Sequence, residues 1–339
     1  MLILTNCLTD VTDEGCLKLS NSLIKRIKAN DNTAVILSYD RKNALSDEHF
    51  DVNKLLLNRK LIKRIRQIND NLLYIPFPAK TLATALRVFL LSLFCKKKLR
   101  VVMVQRYHYN FVARCLLKLC RANLIVMSQE SMDFYGGFVS KKRITYLRTG
   151  VDTNKFVPVS TEEKETLRNK YGFDTERKLV LHCGHLNYGR GVDNLMKIDS
   201  DHQVLLVVST MTKNEQDLTL KSELLKHDNI CIIEDYVENI QELYQMSDVY
   251  FFPVNELGRC IDVPLSCLEA ASCNVPVVTT DFGEMKALVD KDGFYYLPDN
   301  KSETINKMIE KACDEHKEPR NFVIPYDWDK AVRYLSDTQ

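Results

Sequence analysis

The chain reads as an α/β protein built on two doubly wound parallel sheets. Short apolar runs rich in β-branched residues alternate with helical patterns, which is how βαβ units look in sequence. The alternation occurs twice, and a polar segment with a helix-capping start, Ser160-Thr161-Glu162-Glu163, separates the two series. The 339 residues, 45% of them apolar, suffice for two such cores.

In the first series a strand at 2–5 leads to a helix at about 15–29 and a strand at 33–38; a strand at 101–105, a helix at about 109–121 and a strand at 123–127 follow. Between them, 54–68 mixes an apolar helical stripe with six basic residues. The stretch 81–95 is apolar and followed by Lys96-Lys97-Lys98. With about 15 residues and Arg87 inside, it falls short of the ~18 expected of a membrane span and is read as a buried crossover helix. The second series places strands at 178–183, 203–208, 229–233, 248–253 and 275–279, with helices between them. The expected domains are 1–158 and 159–325, with a closing helix at about 326–339 packing back on the first.

Eleven cysteines show neither CxxC nor Cys/His metal spacing, and no disulfide framework. They are expected to be reduced core residues of a cytoplasmic chain. The first residues pass straight into a strand, without the pattern of an export signal. Charge divides sharply. Residues 1–150 carry 26 Lys and Arg against 11 Asp and Glu, and 151–339 carry 21 against 34, so the halves are +15 and −13. Such a split suggests an anionic partner for the first half, such as a membrane surface or lipid pyrophosphate; solvated helix faces are the alternative. Nucleic acid is not expected, because no helix-turn-helix, RNA-recognition or zinc-finger pattern accompanies the charge.

Four segments carry a resemblance. Gly150-Val151-Asp152 with Phe156 and Pro158 forms one; Cys183-Gly184-His185-Leu186-Asn187-Tyr188-Gly189-Arg190-Gly191 another. The others are Ile261-Asp262-Val263-Pro264-Leu265-Ser266-Cys267-Leu268-Glu269-Ala270-Ala271 and Tyr326-Asp327-Trp328. Together they resemble retaining GT-B glycosyltransferases of family 4 (glycosyl transferases group 1). The resemblance implies two facing Rossmann-like domains, acceptor side first and nucleotide-sugar side second. No metal or cofactor is implied beyond the nucleotide-sugar donor itself.

Residue by residue, the resemblance puts Arg190 and His185 at the two basic positions that hold the departing diphosphate, where catalysis needs cations. Gly184 and Gly191 shape that loop, and Gly191 opens a helix whose amides add to the effect. Glu269 falls where a carboxylate accepts both ribose hydroxyls; otherwise it is a solvated helix residue. The turn at Pro264, Leu265 and Ser266 offers backbone amides, those of Leu265 and Ser266, as another hold on the sugar. Tyr236, after a strand, is either a base-stacking residue or a core aromatic. Where the family has a second glutamate facing the donor sugar, this chain has Ile261, and Asp262 or Glu256 is the substitute carboxylate considered. After the strand at 275–279, Gly283 stands alone where the family has paired glycines.

In the first half, His108 ends a predicted strand, where family members often place a histidine near the donor sugar; a structural role is the alternative. Glu14 and Gly15 weakly resemble the acceptor loop, though helix capping would account for a polar residue and glycine there. The expected function is a hexosyltransferase acting on a lipid-linked or polysaccharide acceptor, peripheral on the inner face of the membrane. The rivals are an epimerase or hydrolase of the same fold and a catalytically silent nucleotide-binding or scaffold subunit.

Overall fold

The computed structural model describes residues 1–40, 42–211, 216–254 and 256–337. They form two compact units: Met1–Thr149 with Ile261–Val263 and Trp328–Gln339, and Gly150–Cys260 with Pro264–Asp327.

The first unit runs β1 (Leu2–Thr5), α1 (Gly15–Asn30), β2 (Val35–Tyr39), β3 (Glu48–Phe50), α2 (Arg59–Ile68), β4 (Leu72–Ile75), α3 (Leu82–Phe94), β5 (Leu99–Val102), α4 (Phe111–Leu119), β6 (Asn123–Val126), α5 (Gln129–Gly136) and β7 (Ile144–Tyr146). Its parallel strands are ordered β3-β2-β1-β4-β5-β6-β7, so the winding reverses between β1 and β4. Helices α2 to α5 share one apolar cluster with the sheet, through Leu61, Ile65, Val88, Leu91, Leu117 and Tyr135 against Leu4, Tyr74 and Val101. Strand β4, absent from the sequence expectation, lies beside β1 at the centre. Its four residues are all buried, so they show a short apolar run closed by Pro76 rather than alternation.

The second unit comprises α6 (Thr161–Tyr171), β8 (Leu179–Gly184), β9 (Gln203–Val208), α7 (Leu218–Leu224), β10 (Ile230–Ile233), α8 (Ile240–Gln245), β11 (Val249–Phe252), α9 (Leu265–Ser272), β12 (Val277–Thr279), β13 (Phe294–Tyr296), α10 (Ser302–Asp314) and α11 (Arg320–Val323). The capping box at the start of α6 forms as its sequence suggests, with Ser160 Oγ accepting from the Glu163 amide and Glu163 Oε2 accepting from the Ser160 amide. The parallel order is β10-β9-β8-β11-β12-β13, reversing between β8 and β11. The strands not anticipated besides β4, namely β3, β7 and β13, are three-residue edges, too short to leave a periodic signal.

The second unit begins at Gly150, before the expected boundary at 158. Val151 donates to the Tyr326 carbonyl at 3.2 Å, and Thr153 donates to Asp327 Oδ2 through its amide at 3.2 Å and its hydroxyl at 2.6 Å. The next helix, α12 (Trp328–Asp337), groups with the first unit. Arg26 donates to Asp329 at 3.1 Å, and buried Arg100 donates to the Leu335 carbonyl at 2.8 Å. Positions 338–339 of the expected closing helix lie outside the described residues.

Helix α3 is the expected crossover helix, but only its inner stripe is buried; Leu82 and Leu93 on the outer stripe are exposed. No described helix is long and apolar enough to cross a membrane. All eleven cysteines are free, and Cys231 is exposed rather than in the core.

Candidate functional site

In the second unit the loop after β8 lies at the reversal point between β8 and β11, where doubly wound sheets bind ligands. Gly191 has φ +70°. A Cβ there would stand 2.8 Å from the Pro253 carbonyl oxygen, so only glycine lets the loop close onto the end of β11. This places Arg190 on a single 3₁₀ turn, Tyr188–Arg190. The side chain is 9% exposed, its Nε has no hydrogen-bond partner, and it makes no ion pair among the described residues. An unpaired cation held this deep is costly unless an anion meets it. His185 is half-buried on the same loop. The segment after Gly191 is a 3₁₀ helix, Val192–Lys197, rather than the expected α-helix, so its aligned amide dipoles are fewer.

His182, two residues before Gly184, shares its face of β8. Its Nδ1 lies 2.8 Å from the Phe251 carbonyl oxygen, which makes Nδ1–H the donor and leaves Nε2 an acceptor, buried and without a partner. Nε2 would be 3.0 Å from a Cβ on Gly184, so glycine there keeps the imidazole in place. Burial pushes the ring down to about 4, with the Phe251 hydrogen bond opposing and Arg190 adding to the fall. Neither His182 nor its neutral state was anticipated. The available signal was one polar residue directly after the apolar run Leu179-Val180-Leu181 and before Cys183.

Helix α9 opens at Pro264 with no side-chain cap, so the first-turn amides at Leu265 and Ser266 face out of the helix. Glu269 is 2% exposed, which removes the solvated alternative, and its Oε2 accepts the Tyr244 hydroxyl at 3.1 Å. Tyr244 was also missed; only folding brings it to Glu269, 25 positions away. Tyr236 is 50% exposed beyond β10, so it is not a core aromatic. Gly283 has φ +59°, and the adjoining Glu284 is buried and accepts the Tyr326 hydroxyl.

Asp262 requires a correction. It was expected to offer a carboxylate to the donor, yet it is fully buried and groups with the first unit. Its Oδ2 accepts from the Arg106 amide at 2.9 Å and from the Ser131 hydroxyl, and its Oδ1 accepts from Arg106 Nε at 3.0 Å. Arg106 also pairs with Glu130 at 2.7 Å. Burial pushes the Asp262 carboxyl up, with Arg106 and Ser131 pulling it back; the acid partners hold Arg106 as a cation against burial. Both carboxylate oxygens are spent on the first unit. The other candidate, Glu256, is exposed and pairs with Arg259 at 3.0 Å.

Also in the first unit, Ile261 is buried, and a Cβ on Gly15 would come within 3.4 Å of its Cδ1. Glu14 caps α1, its Oε2 accepting from the Leu17 amide at 2.9 Å. His108 is exposed on the loop after β5, beside Tyr107. Asp201, His202 and Glu310 bring metal-type ligands together, but at the start of β9, the opposite strand end from the Gly184 loop.

In the second unit, then, a buried cation follows β8, and outward-facing amides and a buried carboxylate lie on the helix after β11, the two strands that flank the reversal point; this is a donor set suited to a phosphorylated ligand with hydroxyls. Residues 163–324 match the model of the family described as Glycosyl transferases group 1. Over 201 residues the chain is 23% identical to alpha-galactosylglucosyldiacylglycerol synthase of Streptococcus pneumoniae, covering 56% of this chain and 50% of that one. Over 165 residues it is 27% identical to a GDP-mannose-dependent monoacylated alpha-(1-6)-phosphatidylinositol monomannoside mannosyltransferase of Corynebacterium glutamicum, covering 44% and 42%. The matched part thus spans about half the length of these curated relatives, or less. The solved structure of Anabaena HepE in complex with UDP and glucose is similar in fold, with a TM-score of 0.76 and 14% identity over 100% of this chain and 99% of that one. Residues 163–324 are a glycosyl transferases group 1 domain, and the chain has the GT-B fold of two doubly wound parallel sheets.

Proposed function

We propose that the protein is a retaining glycosyltransferase that moves a hexose from a nucleotide sugar to a lipid-linked or polysaccharide acceptor at the cytoplasmic face of a membrane. The observation that carries the reading is Arg190: a buried arginine with an unpartnered Nε, held at a sheet reversal point inside the family-matching segment. Departure of a nucleoside diphosphate builds negative charge, and a preorganised cation there stabilises the transition state more than the bound donor. Arg190 and His185 take the diphosphate, the α9 amides assist, and Glu269 accepts the ribose hydroxyls, exchanging its Tyr244 contact for them. The departing diphosphate receives the acceptor proton as the hydroxyl attacks from the same face. No metal is assigned a role. In the first unit, His108 remains the candidate for the sugar and the Glu14–Gly15 turn for the acceptor.

The names of similar proteins support this. HepE was solved with UDP and glucose, and the two curated relatives are a diacylglycerol-glycolipid synthase and a phosphatidylinositol-mannoside mannosyltransferase. One of these names carries bound UDP and another GDP-mannose, so the decisive experiment is a donor panel incubated with membrane extract while released nucleotide is measured. Release that needs the extract supports transfer; release without it supports an epimerase or hydrolase. Buried Ile261, where the family has a carboxylate, favours a second reading as a silent scaffold subunit. Nucleotide binding without turnover of any donor would establish that reading instead.

A further inference from the structure

Helices α3 and α4 lie side by side on the first sheet, and each sinks one stripe into it: Ala85, Val88 and Leu91 from α3, Ala113 and Leu117 from α4. At 100° per residue the opposite stripes should be polar. They are apolar instead. Leu82, Leu86, Leu90 and Leu93 follow one another along the outside of α3; Phe111, Cys115 and Leu119 do so along α4. Phe111 is 80% exposed, Leu119 69% and Leu93 60%. Single exposed leucines are ordinary, whereas two adjoining apolar stripes mark a surface that something covers.

The border of this face identifies what covers it. Arg66 of α2 stacks over Phe94 at the end of α3, 5.5 Å from the ring centre. This sets the basic face of α2 against the apolar one, and Arg59, Lys63 and Arg66 line a shallow depression of 370 Å³ there. Lys96, Lys97 and Lys98 are exposed just beyond α3, and Lys118 and Arg121 at the end of α4. We propose that this face docks the first unit onto an anionic lipid bilayer, with the α3–α4 stripes entering the interfacial layer and the surrounding cations meeting headgroup phosphates. Apolar area and electrostatic attraction add in such binding, and neither requires a span. A second copy of the chain is disfavoured as occupant, since two such rims would repel each other. The proposal rests on the lipid-linked acceptor reading and adds the surface that would bring the enzyme to that acceptor.

The test is sedimentation of the full-length protein with vesicles of phosphatidylglycerol and phosphatidylcholine, and of phosphatidylcholine alone, at low salt. Wild type should partition onto the anionic vesicles and leave the neutral ones. The double variant Phe111→Ser/Leu119→Ser changes two exposed positions, so its circular dichroism should be unchanged while partitioning falls by more than about tenfold. Arg59→Gln/Lys63→Gln/Arg66→Gln should also weaken partitioning, and the deficit should fade as salt rises. Partitioning of the double variant equal to wild type, or no wild-type binding to anionic vesicles, overturns the proposal. So does a dimer by light scattering that the double variant abolishes, which would give the face to a second copy. Nucleotide release from soluble donor, measured on the same samples, separates the two readings. Turnover without vesicle binding removes the docking surface alone, and vesicle binding without turnover of any donor removes the transferase.

Discussion

Each unit buries a charged side chain at a strand end, and the two are treated oppositely. In the first, Asp262 receives three hydrogen bonds from Arg106 and Ser131, and Arg106 has Glu130 besides, so charge and bonding are satisfied internally. In the second, Arg190 and His182 each keep a buried nitrogen without a partner. Folding tolerates a buried charge cheaply only when it is paired, so the first cluster is built to hold structure, and the second retains a cost that a bound anion would relieve. The difference separates a carboxylate whose bonds are all made within its own unit from a cation with a nitrogen left unpartnered, although both are buried and both lie in the segment that matches one family model.

Breaking the satisfied cluster should have the largest effect. Asp262→Ala leaves Arg106 with Glu130 alone and takes the acceptor from Ser131, and should cost about 3–5 kcal/mol in denaturant unfolding; an unchanged midpoint would mean that the cluster holds nothing. The Arg190→Ala variant breaks no ion pair and should lose less stability than that. Its turnover should fall by the equivalent of about 3–4 kcal/mol, more than its donor affinity does, with Lys restoring part. Turnover within about twofold of wild type would place Arg190 outside the chemistry.

Acid sharpens the comparison from the other side. Unfolded, the His182 imidazole takes a proton near its ordinary value of 6.5; folded, it refuses one until about pH 4. Stability from this group is therefore full above about pH 6.5 and lost as pH falls towards 4, by about 3 kcal/mol in total. His182→Gln should flatten that part of the melting-temperature profile, and parallel profiles would disprove the assignment. The smallest effect is expected for Glu269→Gln, which should keep the fold and weaken nucleoside diphosphate binding by roughly 1.5–3 kcal/mol, one charged acceptor being lost. Calorimetry decides, and unchanged affinity removes Glu269 from the site.

Periodicity alone carried the α/β class, the two series and most of the longer elements, because helix and strand repeats are local. The Gly184–Gly191 loop and the α9 segment with Glu269 were legible for a related reason: the backbone turn and the chemistry are written in consecutive residues. Tertiary structure alone decided the destination of Asp262, whose partner Arg106 is 156 positions away, and the pairing of Tyr244 with Glu269. It also decided that β4 is central, although its four residues carry no alternation. The outer side of α3 teaches the same lesson. Its sequence is apolar but for Thr84, Arg87 and Ser92, which reads as a buried helix, and only packing shows that one side meets the sheet while Leu82 and Leu93 on the other are exposed. A local pattern states which side chains avoid water; which surface shields them depends on contacts between distant parts of the chain.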